Sequence, residues 1–224
     1  MVNASLQTGT SAVPILRLHE LSFRFERRSM FTKLNLELGT GIHWLRGANG
    51  AGKTTLLKLL GGALEPQSGQ MRFAELDRQA DPLAWRAACF LCQADTPQLA
   101  WLSVQELLDL YLDLYLAERE AQREAVQMRL QSHLQAFNML DSLAQYVTHL
   151  SLGQNKKLHL ALALSLPVNL LLLDEPLNAL DTSSIAYLRQ ELVQPARLAS
   201  TCLLLTSHVA PNLPLTSELE IDKL

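Results

Sequence analysis

Basic residues do not dominate this chain: 19 Lys and Arg against 22 Asp and Glu leave a net charge of −3 over 224 residues. That balance carries no electrostatic footprint for nucleic acid. Cysteine is scarce, with three in all. Cys89-Phe90-Leu91-Cys92 spells a C-x-x-C, but Ala87–Cys92 reads as a strand, on which residues three apart point to opposite faces. A zinc centre would want about four ligands, and no second pair exists. The thiols therefore read as ordinary core residues of a reducing compartment. No apolar run reaches the ~20 residues of a membrane-spanning helix. The greasiest, Leu160 to Leu173, is interrupted by Ser165, Pro167 and Asn169. It reads as a helix end, a Pro-marked turn and a buried parallel strand. Met1 to Val13 has neither a charged segment nor an apolar core, so it reads as a flexible tail and not a signal peptide.

Internal repeats and low-complexity stretches are also lacking. What is present is enough apolar residue, 48%, for one α/β domain spanning 14–224. Ile15–Phe25 and Leu34–Leu38 alternate apolar and polar residues as strands do. Pro66-Gln67-Ser68-Gly69 is turn chemistry before a short strand near Met71–Phe73. Gly and Pro then thin out between Trp101 and Tyr146, where Leu, Gln, Glu, Arg and Ala take over. Ser103-Val104-Gln105-Glu106 is a capping box, and Ala117 to Gln135 reads as one charged helix. A helical subdomain of about 95–166 is therefore expected, inserted between core strands. Further helices are expected at Asn155–Leu166 and Thr182–Val193, and buried strands at Leu170–Leu173 and Thr201–Thr206. The chain stops sixteen residues after His208, which leaves little room for another C-terminal domain.

Gly47-Ala48-Asn49-Gly50-Ala51-Gly52-Lys53-Thr54-Thr55 fits G-x-x-x-x-G-K-[ST] between the strand-like Ile42–Leu45 and the helix-like Leu56–Leu60. Small residues let backbone N–H groups curl around a polyphosphate, and the following helix N-terminus adds partial positive charge. Lys53 can reach the β- and γ-phosphates, and the Thr54 hydroxyl can ligate Mg²⁺. Two more strand ends carry matching groups, where ligands of parallel sheets sit. Asp174 is placed to hold Mg²⁺, Glu175 to act as general base on a water, and His208 to contact the γ-phosphate or that water. Gln93, after another strand, offers an amide oxygen for Mg²⁺ or water.

P-loop, Gln after a strand, Leu150-Ser151-Leu152-Gly153-Gln154, Leu170–Glu175, Ala179-Leu180-Asp181 and His208 follow one another in this order. The order resembles the ATP-binding subunit of ABC transporters over about Ile15 to His208. The resemblance implies a P-loop NTPase core of mostly parallel sheet, an antiparallel N-terminal β subdomain and an α-helical insertion. It makes Gln93 the Q-loop, Asp174 and Glu175 the Walker B acid and catalytic glutamate, Asp181 part of the D-loop, and His208 the switch histidine. Phe25 takes the place of the aromatic that stacks on adenine, with Phe23 as a competitor. Ser151, Leu152, Gly153 and Gln154 form the signature, which serves the ATP of a second cassette paired head to tail.

Two departures stand out: Leu152 occupies a position usually held by Gly, and Lys156-Lys157 replaces an Arg-bearing run. The implied function is ATP hydrolysis that drives an integral membrane permease, with the chain peripheral on the inner face of the cell membrane. Narrower likenesses are to the haem-exporter A subunits of cytochrome c maturation and to small ABC-2 type exporters. The rival readings are a soluble ABC-type ATPase on nucleic acid or ribosomes, and an ATP clamp with little hydrolysis; no nucleic-acid partner is expected. Pro97, Leu99, Ala100, Trp101 and Leu102 are unusually apolar for a loop, and Trp101 is the expected anchor for a membrane subunit.

Overall fold

A computed structural model describes residues 15–26, 28–93 and 99–221. The expected tail at 1–13 and the loop residue Pro97 lie outside them. The alternating N-terminal segments form an antiparallel sheet of β1 (Leu16–Phe25), β2 (Arg28–Leu38), β4 (Ser68–Phe73) and β5 (Leu76–Asp77), ordered β2-β1-β4-β5. The apolar runs form a second sheet in which every pairing is parallel: β6 (Cys89–Cys92), β7 (Leu170–Leu173), β8 (Cys202–Thr206), β3 (Gly41–Arg46) and β9 (Ser217–Glu220), in that order.

The parallel strands are apolar throughout because both of their faces are covered. Leu171 and Leu173 of β7, with Leu203 and Leu205 of β8, enter a core shared with the helices. Leu170, Leu172 and Leu204 enter a second core, shared with the antiparallel sheet. Helix α1 (Lys53–Leu60) belongs to that second core, with Leu56, Leu57, Leu59 and Leu60 wholly buried. Each such leucine contributes roughly 1.5–3 kcal/mol of burial. The P-loop therefore leads into a helix anchored in the core by four buried leucines. Cys89 and Cys92 fall into different cores, as strand geometry requires. Burial pushes the Cys92 thiol up to about 11 and raises Cys89 as well.

Three expectations are corrected. The charged helix at Ala117–Gln135 is broken: α3 (Val104–Leu116) ends first, a 3-10 turn occupies Glu120–Gln122, and α4 runs Arg123–Ala136. Arg123 pairs with Glu120 and with Asp113 of α3, which holds that turn. The expected strand at Ala87 begins later, because Ala87 and Ala88 finish helix α2 (Pro82–Ala88), capped by Asp81. The helix expected from Asn155 starts three residues sooner, as α5 (Leu152–Ser165). Ser151 and Gln154 form the same reciprocal capping box that Ser103 and Glu106 form on α3. Helices α6 (Thr182–Leu192) and α7 (Pro195–Ser200) complete the set. Among the described residues, no helix is long and apolar enough to cross a membrane.

Candidate functional site

The carboxyl ends of β3, β7 and β8 meet at one cleft of about 450 Å³. Gly52 makes the entry to α1 possible. It caps the helix with φ 109°, a left-handed conformation that side chains resist. The cleft is lined by Asn49, Gly50, Gly52, Lys53, Thr54 and Thr55 from the P-loop and by Asp174, Glu175 and His208 from the other strand ends. Phe25, Arg28 and Met30 line its outer wall. Ala51 instead packs toward the core, and Gly47 and Ala48 border a second cavity of about 280 Å³ with Trp44, Arg46, Ser207, His208 and Glu220.

Lys53 is nearly buried, and its Nζ donates to the carbonyls of Gly47 at 2.7 Å and Ala48 at 3.1 Å. The ammonium is thus curled into the loop, over the nest that a phosphate would occupy. The Thr54 hydroxyl donates to Asp174 Oδ2 at 2.8 Å, across 120 residues of sequence. Asp174 Oδ1 accepts from the Thr206 hydroxyl at 2.7 Å, and Thr206 Oγ1 in turn accepts the Glu175 N–H at 2.9 Å. One threonine on β8 therefore joins both acids.

Glu175 has φ 48°, a conformation that costs a non-glycine residue on the order of 1 kcal/mol or more. Its Oε1 is buried and accepts no hydrogen bond among the described residues, although His208 Nε2 stands 3.4 Å away. Oε2 accepts from Asn178 Nδ2 at 3.3 Å. Phe25 is 46% exposed beside the cleft, while Phe23, edge-on to it at 4.8 Å, is buried at 6%. Arg28 Nη2 donates to the Gly50 carbonyl at 2.9 Å and ties β2 to the P-loop.

A sequence profile of the ABC transporter family matches residues 31–178, well over half of the chain. The chain belongs to the ABC transporter family. Among similar proteins are the cytochrome c biogenesis ATP-binding export protein CcmA of Idiomarina loihiensis, 30% identical over 90% of this chain and 89% of its own length, and that of Legionella pneumophila, 32% identical over 90% and 95%. The thiamine import ATP-binding protein ThiQ of Yersinia pseudotuberculosis is 33% identical over 80% of this chain and 72% of its own. A solved ATP-binding subunit of an ABC transporter superposes with a TM-score of 0.77 at 25% identity, covering 87% of this chain and 80% of the other. As an ABC ATP-binding protein the chain is an ATPase, with the parallel sheet, antiparallel subdomain and helices of that fold.

The remaining residues of the ABC pattern are not among those that line the cleft. Gln93 is half-buried directly after β6 and is not one of the lining residues. Ser151 is the exposed N-cap of α5, and Leu152 beside it is 60% exposed. Gly153 faces inward against the Ala179 carbonyl. Asp181 caps α6 and accepts from the Ser183 and Ser184 hydroxyls. The Lys157 ammonium at 2.6 Å, then the serine donors, hold the Asp181 carboxyl well below its usual range. Sequence reasoning missed Thr206 and Asn178, which read as a strand residue and a loop residue. It noted Lys156 and Lys157 only as departures.

Proposed function

We propose that this ABC ATPase powers a membrane transporter from the inner face of a cell membrane, as one of two cassettes that hold MgATP head to tail. The observation that carries the reading is the Glu175 carboxylate. One of its oxygens is buried at the cleft wall without a hydrogen-bond donor, beside Lys53, Thr54 and Asp174. A buried oxygen that accepts no hydrogen bond, with His208 beside it, is suited to take a proton from water attacking a γ-phosphate. His208, which lines the same cleft 3.4 Å from Glu175, would contact that water or the phosphate, and Lys53 would answer the charge of the β- and γ-phosphates. Thr54 and Asp174 present hard oxygen donors side by side, the set that Mg²⁺ favours, with Gln93 as a further candidate. When bound, Mg²⁺ neutralises charge on the phosphate oxygens. Phe25, the exposed member of its aromatic pair, supplies the stacking surface for adenine.

Ser151, Gly153 and Gln154, at the open start of α5, would serve the nucleotide of the second cassette through a hydroxyl and backbone N–H groups. Leu152 narrows that approach. Replacing Glu175 by Gln keeps the side chain's size and removes the base. ATP binding by calorimetry should survive, and turnover should fall about 10²-fold or more. A rate within a few-fold of the parent rejects Glu175 as the base.

Trp101, 70% exposed just before α3, is the proposed anchor for the permease. Leu99 packs against the core, so it contributes less to that face than its sequence position suggests. Trp101→Ala should weaken co-purification with a membrane subunit by on the order of 2 kcal/mol or more while leaving ATP affinity intact. Equal complex yield removes the docking role, and RNA or DNA in the purified complex would favour the rival reading. Similarity to the two CcmA proteins supports a finer reading, export in cytochrome c maturation. Expression in a bacterium lacking its own CcmA tests it: holo-cytochrome c should return, and failure despite stable expression rejects it.

A further inference from the structure

Gly153, Lys156 and Lys157 are spaced i, i+3 and i+4 along α5, which places them on one face of the helix. That face meets the segment running from Asp174 to Asp181. A Cβ on Gly153 would lie 2.6 Å from the Ala179 carbonyl oxygen, so backbone meets backbone there. Lys157 reaches Asp181 at 2.6 Å. Lys156 goes deepest: it is 3% exposed, and its Nζ donates to the carbonyls of Asp174 at 3.0 Å and Glu175 at 3.3 Å. These two carbonyls flank the left-handed turn at Glu175, whose N–H is already held by Thr206. The strained residue is thus gripped by side chains from α5 and from β8.

Burying an ammonium is unfavourable unless its charge and protons are answered. An apolar side chain would fill the same space without that penalty, so packing alone does not account for a lysine here. Both of its observed acceptors belong to the residues that bear the site's two acids. We propose that Lys156 is a positioning residue for Glu175: its ammonium fixes the turn that aims the carboxylate at the cleft. Through α5 it ties that aim to the Ser151–Gln154 turn. The proposal rests on Glu175 being the general base.

The test is steady-state ATPase kinetics and nucleotide binding on the full chain, comparing Lys156→Met, Lys156→Arg, Glu175→Gln and the Lys156→Met/Glu175→Gln double variant. Lys156→Met should lower kcat roughly 10- to 100-fold with KM and nucleotide affinity within about two-fold of the parent, the split expected when a group acts only in the chemical step. Lys156→Arg, which keeps charge and donors, should recover to within about five-fold. The methionine should add no further loss where Glu175 is already Gln, since its effect runs through that carboxylate. A parental kcat in Lys156→Met beside an inactive Glu175→Gln overturns this proposal alone. A parental rate in Glu175→Gln overturns the base assignment beneath it. A further loss in the double variant with raised KM shows a merely structural lysine and also overturns it. Should the methionine variant fail to fold, Lys156→Gln, which keeps an N–H donor, replaces it, and a folded glutamine variant at parental rate overturns the proposal equally.

Discussion

At its C-terminal end α5 hands its carbonyls to side chains from all around it, whereas at its N-terminal end it meets solvent. Arg197 of α7 donates to the Leu164 carbonyl, Arg129 of α4 to that of Ser165, and Arg119 to that of Pro167, at 2.8–3.1 Å. Positive charge belongs at that end of a helix dipole; two of the guanidinium groups satisfy carbonyls that the helix itself leaves open, and Arg119 holds the turn just beyond it. At the N-terminal end the cap hydrogen bonds come from the helix's own capping box, and Ser151 and Leu152 are exposed, although Gly153 and the lysines behind them pack on the 174–181 segment. The contrast separates two jobs within one helix. One end fixes the helix between the elements around it, and the other leaves its first residues exposed, the end that the contact in trans proposed above would use.

The comparison breaks most sharply at Gly153. Helix propensity alone would make Gly153→Ala stabilising by up to about 1 kcal/mol. The added methyl carbon would instead meet the Ala179 carbonyl at 2.6 Å, and overpacking of that kind costs about 1–3 kcal/mol. The variant should melt lower than the parent. Its ATPase should also fall more than about ten-fold, because a small displacement near the reacting groups is expensive in rate. A higher Tm with parental ATPase would mean that α5 and the 174–181 segment do not depend on this contact.

A middle-sized effect should come from the buried end. His133 of α4 bonds the Tyr187 hydroxyl of α6 at 2.6 Å and faces Arg197 of α7 and Arg129 of its own helix. Burial first, then the two arginines, lowers its pKa from 6.5 to about 4. The folded protein therefore binds this proton less readily than the unfolded chain does. The stability concerned is complete above about pH 6.5 and is lost as the pH falls toward 4. Between pH 7 and pH 5 the loss should be about 2 kcal/mol, measured as urea unfolding free energy. His133→Gln, which does not titrate, should flatten the profile by that amount. Equal slopes in parent and variant would show that His133 titrates normally.

The contrast between the two ends also explains what was legible beforehand. Strands β7 and β8 declare themselves as unbroken apolar runs because both of their faces are covered, and the P-loop announces its own strand and helix. The start of α5 was hidden because Ser151 to Gln154 reads as a signature for a partner while also being a capping box for its own helix. Helices α2 and α7 are short, 7 and 6 residues, and too brief for periodicity to show. Their signals were a proline at the first helical position in each, with Asp81 as the cap of α2. Asp174 and Glu175 could be picked out as strand-end acids. Thr206 and Lys156, which hold them, could not, because only the tertiary fold brings β8 and α5 to that turn.

The smallest effect is expected at Leu152, and it sharpens the comparison by being small. At 60% exposure, with its neighbour Ser151 also exposed, the side chain has little packing to lose. Leu152→Ala should therefore shift stability by no more than about 0.5 kcal/mol, the usual range for a surface site. If this turn approaches a second cassette's nucleotide, trimming the side chain relieves that approach. ATPase measured at concentrations where the cassettes pair should then rise a few-fold, while nucleotide affinity at dilution stays unchanged. Both arms are informative. A marked drop in Tm would place Leu152 in the chain's own core, contrary to its exposure. An unchanged rate at every protein concentration would show that the open end of α5 does not limit how closely two cassettes meet.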